Sequence, residues 1–209
     1  MNLLIVDWLG KVNKLYIPGA TAVGIVFKDG VILGADKRFA YGNFIMSRSS
    51  KKVFMINNNV GAACAGMISD MQSLIKRVQA EAKLRELEIR RPVPPNSIAK
   101  FMSAVMFNER LYPLLTQVIV GGVDGTPSVY VLDPLGSVIP DEYAAVGSGT
   151  EIAIGIIESE YKKEINEESA VNLVIKALKS AMQRDAASGD GIDLLIIKSD
   201  GTRQEEIKL

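Results

Sequence analysis

From Thr21 onward, short runs of alternating or continuous apolar residues are broken by turn residues, and a helical period takes over twice. Thr21 to Lys28 and Val31 to Ala35 read as strands on either side of Asp29-Gly30, a hairpin turn signal. Lys52 to Ile56 and Val60 to Ala65 repeat that pattern across Asn57-Asn58-Asn59. Met71, Leu74, Ile75, Val78 and Ala82 then recur at steps of three and four, which predicts an amphipathic helix. Pro92, Pro94 and Pro95 break the chain, and Asn96 is the expected cap of a second helix carrying Ile98, Phe101, Met102, Val105 and Met106 on one face. The second half follows the same order. Gln117 to Val123, Ser128 to Leu132 and Tyr143 to Val146 read as strands, and Glu151 to Tyr161 and Glu167 to Gln183 as helices, the latter capped by Asn166. Leu194 to Lys198 is a buried strand, and Ser199-Asp200-Gly201 turns into an expected short tail. Periodicity alone thus gives a single α+β domain, and the order of strands, helices, strands, helices and strand implies two antiparallel sheets packed together and covered by helix pairs. Residues 1–19 read as a separate segment closed by Pro18-Gly19, a loop or processing junction.

Composition narrows the chemistry by exclusion. Lys plus Arg and Asp plus Glu each number 24, so charge gives no case for nucleic acid. Cys64 is the only cysteine, which rules out an internal disulfide and fits a reducing, cytoplasmic setting. The chain contains no histidine, so Ser-His and Cys-His catalysis and the common zinc sites drop out. What is left is a Thr or Ser nucleophile with an amine or lysine base. The apolar start lacks a basic leader and is interrupted by Asp7, and no apolar run approaches a membrane span.

Several short motifs occur in one order: Asp36-Lys37-Arg38, Lys51-Lys52, Ala65-Gly66, Gly147-Ser148-Gly149 and Arg184-Asp185-Ala186-Ala187-Ser188-Gly189. Singly each has a plain reading. Lys52 is a strand-edge charge, Asp36 sits in a charge cluster, and Gly147-Ser148-Gly149 is a turn with an N-cap or a phosphate cradle lacking its Lys-Ser/Thr. Cys64 is a core thiol. Together, in register and without an insertion, they make the chain resemble a β-type subunit of the archaeal proteasome core, an N-terminal-nucleophile protease.

That resemblance implies the four-layer α/β/β/α sandwich of the family, with residues 1–19 as a propeptide-like segment and 20–209 as the β-type domain. It also implies roles. An N-terminal threonine hydroxyl attacks a peptide carbonyl while a neutral amine takes its proton. Lys52 corresponds to the lysine beside that hydroxyl, Asp36 to its carboxylate partner, and Gly66 to the residue whose N–H faces the oxyanion. Ser148, Asp185 and Ser188 correspond to the cluster around the terminal amine. Phe39, Phe54, Cys64 and Ile68 match positions lining the family's substrate pocket, an apolar set, although Phe54 and Ile68 also read as core. The chemistry requires no cofactor and no metal.

The departure lies at the junction Ile17-Pro18-Gly19-Ala20-Thr21-Ala22-Val23. Counted back through the motifs, the nucleophile position is Ala20, which has no hydroxyl. Thr21 is one residue on, and in a strand that shift aims its side chain at the opposite face, away from Lys52, unless a bulge intervenes. Ala-Thr-Ala-Val is also what one replacement would leave of a family-like Thr-Thr-x-Val start, so the junction is equally that of an engineered nucleophile-to-Ala form of an active subunit. The resemblance further implies α subunits and other β subunits as partners in stacked seven-membered rings, an ATPase activator acting indirectly, and peptide substrates, with no nucleic acid and no membrane. Three functions follow: a β-type subunit silent at its own site, the same subunit active through Thr21, and an amidase acting on small amides, which the motifs support poorly.

Overall fold

The computed structural model describes residues 2–6, 12–16 and 18–208. In chain order the elements begin with β1 (Asn2–Val6) and β2 (Val12–Tyr16), paired antiparallel as a separate ribbon. β3 (Thr21–Phe27), β4 (Gly30–Asp36), β5 (Phe39–Tyr41), β6 (Phe44–Ser47), β7 (Val53–Asn57) and β8 (Val60–Gly66) follow. Two helices come next, α1 (Ile68–Ile89) and α2 (Pro95–Asn108). The second half holds β9 (Thr116–Asp124), β10 (Thr126–Leu132), β11 (Ile139–Asp141), β12 (Tyr143–Gly147), α3 (Thr150–Glu160), α4 (Glu167–Arg184), β13 (Ile192–Lys198) and β14 (Gly201–Ile207).

The strands build two five-stranded sheets with orders β12-β3-β4-β13-β14 and β11-β10-β9-β8-β7, every neighbouring pair antiparallel. Period-two alternation sorts their side chains into three apolar layers. Val31, Leu33 and Ala35 of β4 meet Ala63 and Ala65 of β8 and Ile119 of β9 between the sheets. Val23 and Ile25 turn the other way, onto Ala153 and Ile157 of α3 and Leu173, Val174 and Leu178 of α4. Ala62, Cys64, Val118 and Val120 back the second sheet onto Met71, Leu74, Val78, Met102 and Met106 of α1 and α2. The result is the expected α/β/β/α sandwich. Among the described residues no helix is long and apolar enough to cross a membrane.

Three elements differ from the sequence reading. Asn96 is not a cap: α2 starts at Pro95, two residues earlier than a cap at Asn96 implies, after an extended Pro94 and with no side-chain cap bond. Proline at the first helical position is preset in φ, and the N–H it lacks would have had no partner within the helix. Asn166, by contrast, caps α4 through Ser169 N–H at 2.8 Å. The expected tail is instead β14, paired along its whole length with β13. The ribbon of β5 and β6 occupies a stretch to which the sequence reading assigned no element.

The pairings bring several chain positions to one end of the sandwich. Thr21 pairs with Gly147, Asp36 with Ile192, and Gly66 with Thr116. Lys52 immediately precedes β7 there, and the loop 185–190 links α4 to β13.

Candidate active site

Alternation in β3 assigns its first residues opposite tasks. Ala20 and Ala22 are buried between the sheets with Val53, Ala63 and Ala65. Thr21 is in register with Val23 and Ile25 on the helix side, and its fully buried hydroxyl lies 2.7 Å from Ser188 Oγ. A Cβ on Gly149 would come to 2.1 Å from Thr21 Oγ1, so the turn entering α3 roofs that hydroxyl and only glycine fits. Its partner is Ser188, not Lys52.

Asp36 is the hub. Its Oδ1 accepts from Thr21 N–H at 2.9 Å and from Lys52 Nζ at 2.7 Å. Its Oδ2 accepts from the N–H groups of Arg38 at 3.0 Å and Gly189 at 2.9 Å. A carboxylate offers about four lone-pair sites, and these four donors fill them. Lys52 is 1% exposed and also donates to the Arg38 carbonyl at 2.5 Å. Burial pushes its pKa below the ordinary lysine value, against the pull of Asp36. A lysine so held is pre-placed to stabilise a neighbouring anion or handle a proton.

The second carboxylate gathers hydroxyls. Asp185 Oδ2 accepts from Ser148 Oγ and from Ser188 Oγ, both at 2.6 Å, and its Oδ1 accepts from Ala187 N–H at 3.1 Å. Ser148 in turn grips Ala20 at both backbone groups. Ala20 N–H donates to Ser148 Oγ at 3.1 Å, and Ser148 N–H donates to the Ala20 carbonyl at 2.8 Å. Because Gly19 precedes it, the Ala20 nitrogen is an amide and has no basic lone pair. Gly66 closes β8 at φ 131° beside Thr116.

Arg38 and Asp190 fasten the two halves of this cluster. Asp190, itself at φ 67°, accepts from Arg38 Nε at 2.7 Å and Arg48 Nη1 at 2.8 Å, and Arg38 Nη1 donates to the Ala186 carbonyl at 2.9 Å. The Arg38 hydrogen bond holds the Asp190 carboxyl below the usual carboxylate value of 3.8. A lowered folded-state pKa contributes stability above 3.8 that disappears as pH falls through the folded value, because the unfolded chain takes up the proton first. Asp190→Asn is therefore expected to make the acid-side loss of stability shallower. Urea midpoints between about pH 5 and 2.5 check it, and an unchanged slope would count against the clamp.

Three of the four apolar pocket positions fall in one cluster. Cys64 is fully buried in the cluster beneath α1 and α2, and half-buried Phe54 and Ile68 pack against that cluster. Cys64 thus has no surface with which to line an open pocket in this structure, and burial pushes its thiol pKa up. Phe39 opens β5 and is half-buried. Sequence reasoning missed Arg38, Gly189 and Asp190, and also Gln117, whose Oε1 accepts from Gly147 N–H at 2.9 Å across the gap between the sheets. Among the described residues no cluster of three or more acidic or cysteine side chains is placed to hold a metal ion.

The model of the family described as "Proteasome subunit" matches residues 18–197. A proteasome subunit beta 1 of Nitrosopumilus maritimus is 53% identical over 197 residues, covering 93% of this chain and all of the relative. The chain belongs to the proteasome subunit family, in its β branch. Proteasome subunit beta 1 of Cenarchaeum symbiosum is 52% identical over 90% of this chain and 97% of its own length. Proteasome subunit beta 2 of Pyrobaculum calidifontis is 47% identical over 91% and 95%. Membership accounts for the sandwich, and with it for assembly with α and β proteasome subunits. The hydrogen-bonded frame around Ala20 is a property of this chain's own residues.

Proposed function

We propose that this chain is a β-type subunit of the proteasome core particle whose own site is silent and whose contribution is structural, in a β ring shared with a cleaving β subunit. The observation that carries this reading is that Ala20 holds the inter-sheet position while the Thr21 hydroxyl is turned to Ser188. A peptide-bond hydrolase of this type needs a hydroxyl beside Lys52 and a neutral amine to take its proton. Ala20 lies on the inter-sheet face but bears only a methyl group, and its nitrogen is acylated by Gly19. Thr21 has the hydroxyl, but on the helix-facing side, buried and bonded to Ser188.

The remaining parts keep a reason to exist without catalysis. Lys52, Asp36, Ser148, Asp185 and Ser188 satisfy one another and the surrounding backbone N–H groups, so losing one strands the others. Residues 1–19 then stay attached as an uncleaved propeptide-like segment, because nothing at Ala20 attacks the Gly19 carbonyl. The relatives' numbered names, beta 1 and beta 2, are in keeping with rings containing more than one β chain. The particle's chemistry, degradation of unfolded proteins to peptides, belongs in this reading to the neighbouring β subunit.

The test is a particle assembled from this chain, its α partner and a cleaving β partner whose nucleophile has been replaced by alanine. The expected result is assembled rings with no turnover of fluorogenic peptides. Turnover in that particle would assign cleavage to this chain, and the Thr21 reading would replace ours.

A further inference from the structure

β14 is the last strand of its sheet: β13 covers one edge, and among the described residues no strand pairs with the other. An uncovered edge is a row of unpaired N–H and C=O groups that can template another strand. The register says which groups these are. Lys198 and Gly201 flank the two-residue turn Ser199-Asp200, so they form a hydrogen-bonded pair, and the bonds to β13 recur at Arg203, Glu205 and Ile207. The N–H and C=O groups of Thr202, Gln204 and Glu206 therefore point outward.

Charges guard an exposed edge when like faces like. Along β14 they are placed the other way. In an antiparallel pair of two β14 strands centred on Gln204, the outward groups of one Gln204 meet those of the other, and Thr202 meets Glu206. Between these bonded pairs Arg203 of each strand lies directly opposite Glu205 of the other, on one face and at the closer of the two cross-strand spacings. The same register sets Asp200 opposite Lys208 just beyond the strand ends. No neighbouring register does this. Centred on Arg203 or Glu205 the pair puts like charges on its own axis; centred on Thr202 or Glu206, neither Arg203 nor Glu205 meets an opposite charge. Within one chain Arg203 already donates to Glu205 at 2.6 Å and to Glu167 at 3.0 Å, yet its side chain is 54% exposed, and a five-donor guanidinium has room for a second carboxylate.

We propose that two free copies of this chain join edge to edge through β14, antiparallel about a two-fold axis at Gln204, so that one sheet runs through both. Copies adjacent in a cyclic ring meet head-to-tail, whereas this contact uses the same patch on both partners. It is a property of the chain outside the ring, and it hides the edge that an unassembled subunit otherwise leaves open. Nothing in it bears on cleavage, so it stands or falls apart from the silent-site reading.

The experiment is sedimentation equilibrium of the full chain alone at low salt, with three variants. The parent should associate to a dimer. Gln204→Pro removes an outward N–H and no bond to β13, a place where an edge strand tolerates proline. It should leave the chain folded and raise the dimer dissociation constant about tenfold or more, because one inter-strand bond is lost from each copy. Glu205→Lys keeps the bond from Arg203 to Glu167 but sets lysine opposite Arg203, and Arg203→Glu sets glutamate opposite Glu205. Each should be monomeric alone, and an equal mixture of the two should dimerise, since every cross-strand pair is then again of opposite sign. A parent that stays monomeric, an association indifferent to Gln204→Pro, or a mixture no more associated than its components would overturn the proposal.

Discussion

Asp36→Ala is expected to destabilise the chain by about 3–5 kcal/mol, the cost of stripping one partner from a buried ion pair. Both side chains are essentially inaccessible, 1% exposed for Lys52 and 0% for Asp36, so water cannot replace what is lost. Four donors lose their acceptor together: Lys52 Nζ and the N–H groups of Thr21, Arg38 and Gly189. For a chain of this length the melting temperature should drop by roughly 6–20 °C. Asp36→Asn should be little better. Its amide nitrogen must occupy one of two positions that each face donors, setting donor against donor. Lys52→Met should be milder than either, because Asp36 keeps three backbone N–H partners. Urea unfolding of the three variants checks the order. A Lys52→Met variant as damaged as Asp36→Ala would mean that the carboxylate depends on the lysine more than on the backbone.

Ala20→Thr is expected to convert a silent chain into a self-processing one. Position 20 faces the space between the sheets, with Val53 and Ala65 as neighbours, and these adjoin Lys52 and Gly66 in the chain. A hydroxyl there meets the lysine held by Asp36, while Ser148 already grips the backbone of residue 20 at both polar groups. Attack on the Gly19 carbonyl shifts that acyl group from the residue-20 nitrogen to the hydroxyl oxygen, forming an ester and freeing the amine that the site otherwise lacks; water then hydrolyses the ester and releases residues 1–19 as the acid. Peptide turnover in particles with a dead partner β subunit should then rise by about 10³-fold or more over the parent, the order by which a nucleophile usually matters. Thr21→Ala in the parent should change processing not at all, since that hydroxyl serves Ser188. If Ala20→Thr assembles but neither loses residues 1–19 nor gains turnover, the surrounding frame is not catalytically competent.

The parts of this structure that were legible in the sequence share a strong local signal. The central strands announce themselves by alternation and the long helices by their apolar stripes. β14 escaped because it is an edge strand, and Arg203, Gln204, Glu205 and Glu206 give it no apolar alternation to read. β11, three exposed residues, and the ribbon carrying exposed Tyr41, Phe44 and Met46 are too short and too little buried to leave a period. At the site, the order of motifs pointed to Asp36, Lys52, Ser148, Asp185 and Ser188. It could not point to the Arg38 carbonyl or the Gly189 N–H, since every residue carries such groups and only the fold aims them. Nor does any local pattern join Asp190 to Arg38 and Arg48, which lie 152 and 142 positions away. The orientation of Thr21 needs only the period of two. That Ser188 receives its hydroxyl needs the structure.

The most direct test of the silent-site account is the intact mass of this chain after assembly with its α partner and a nucleophile-free β partner. The account predicts a chain that still carries residues 1–19, whatever else the particle contains. A mature chain beginning at Thr21, formed where no other subunit is able to cut, would contradict it.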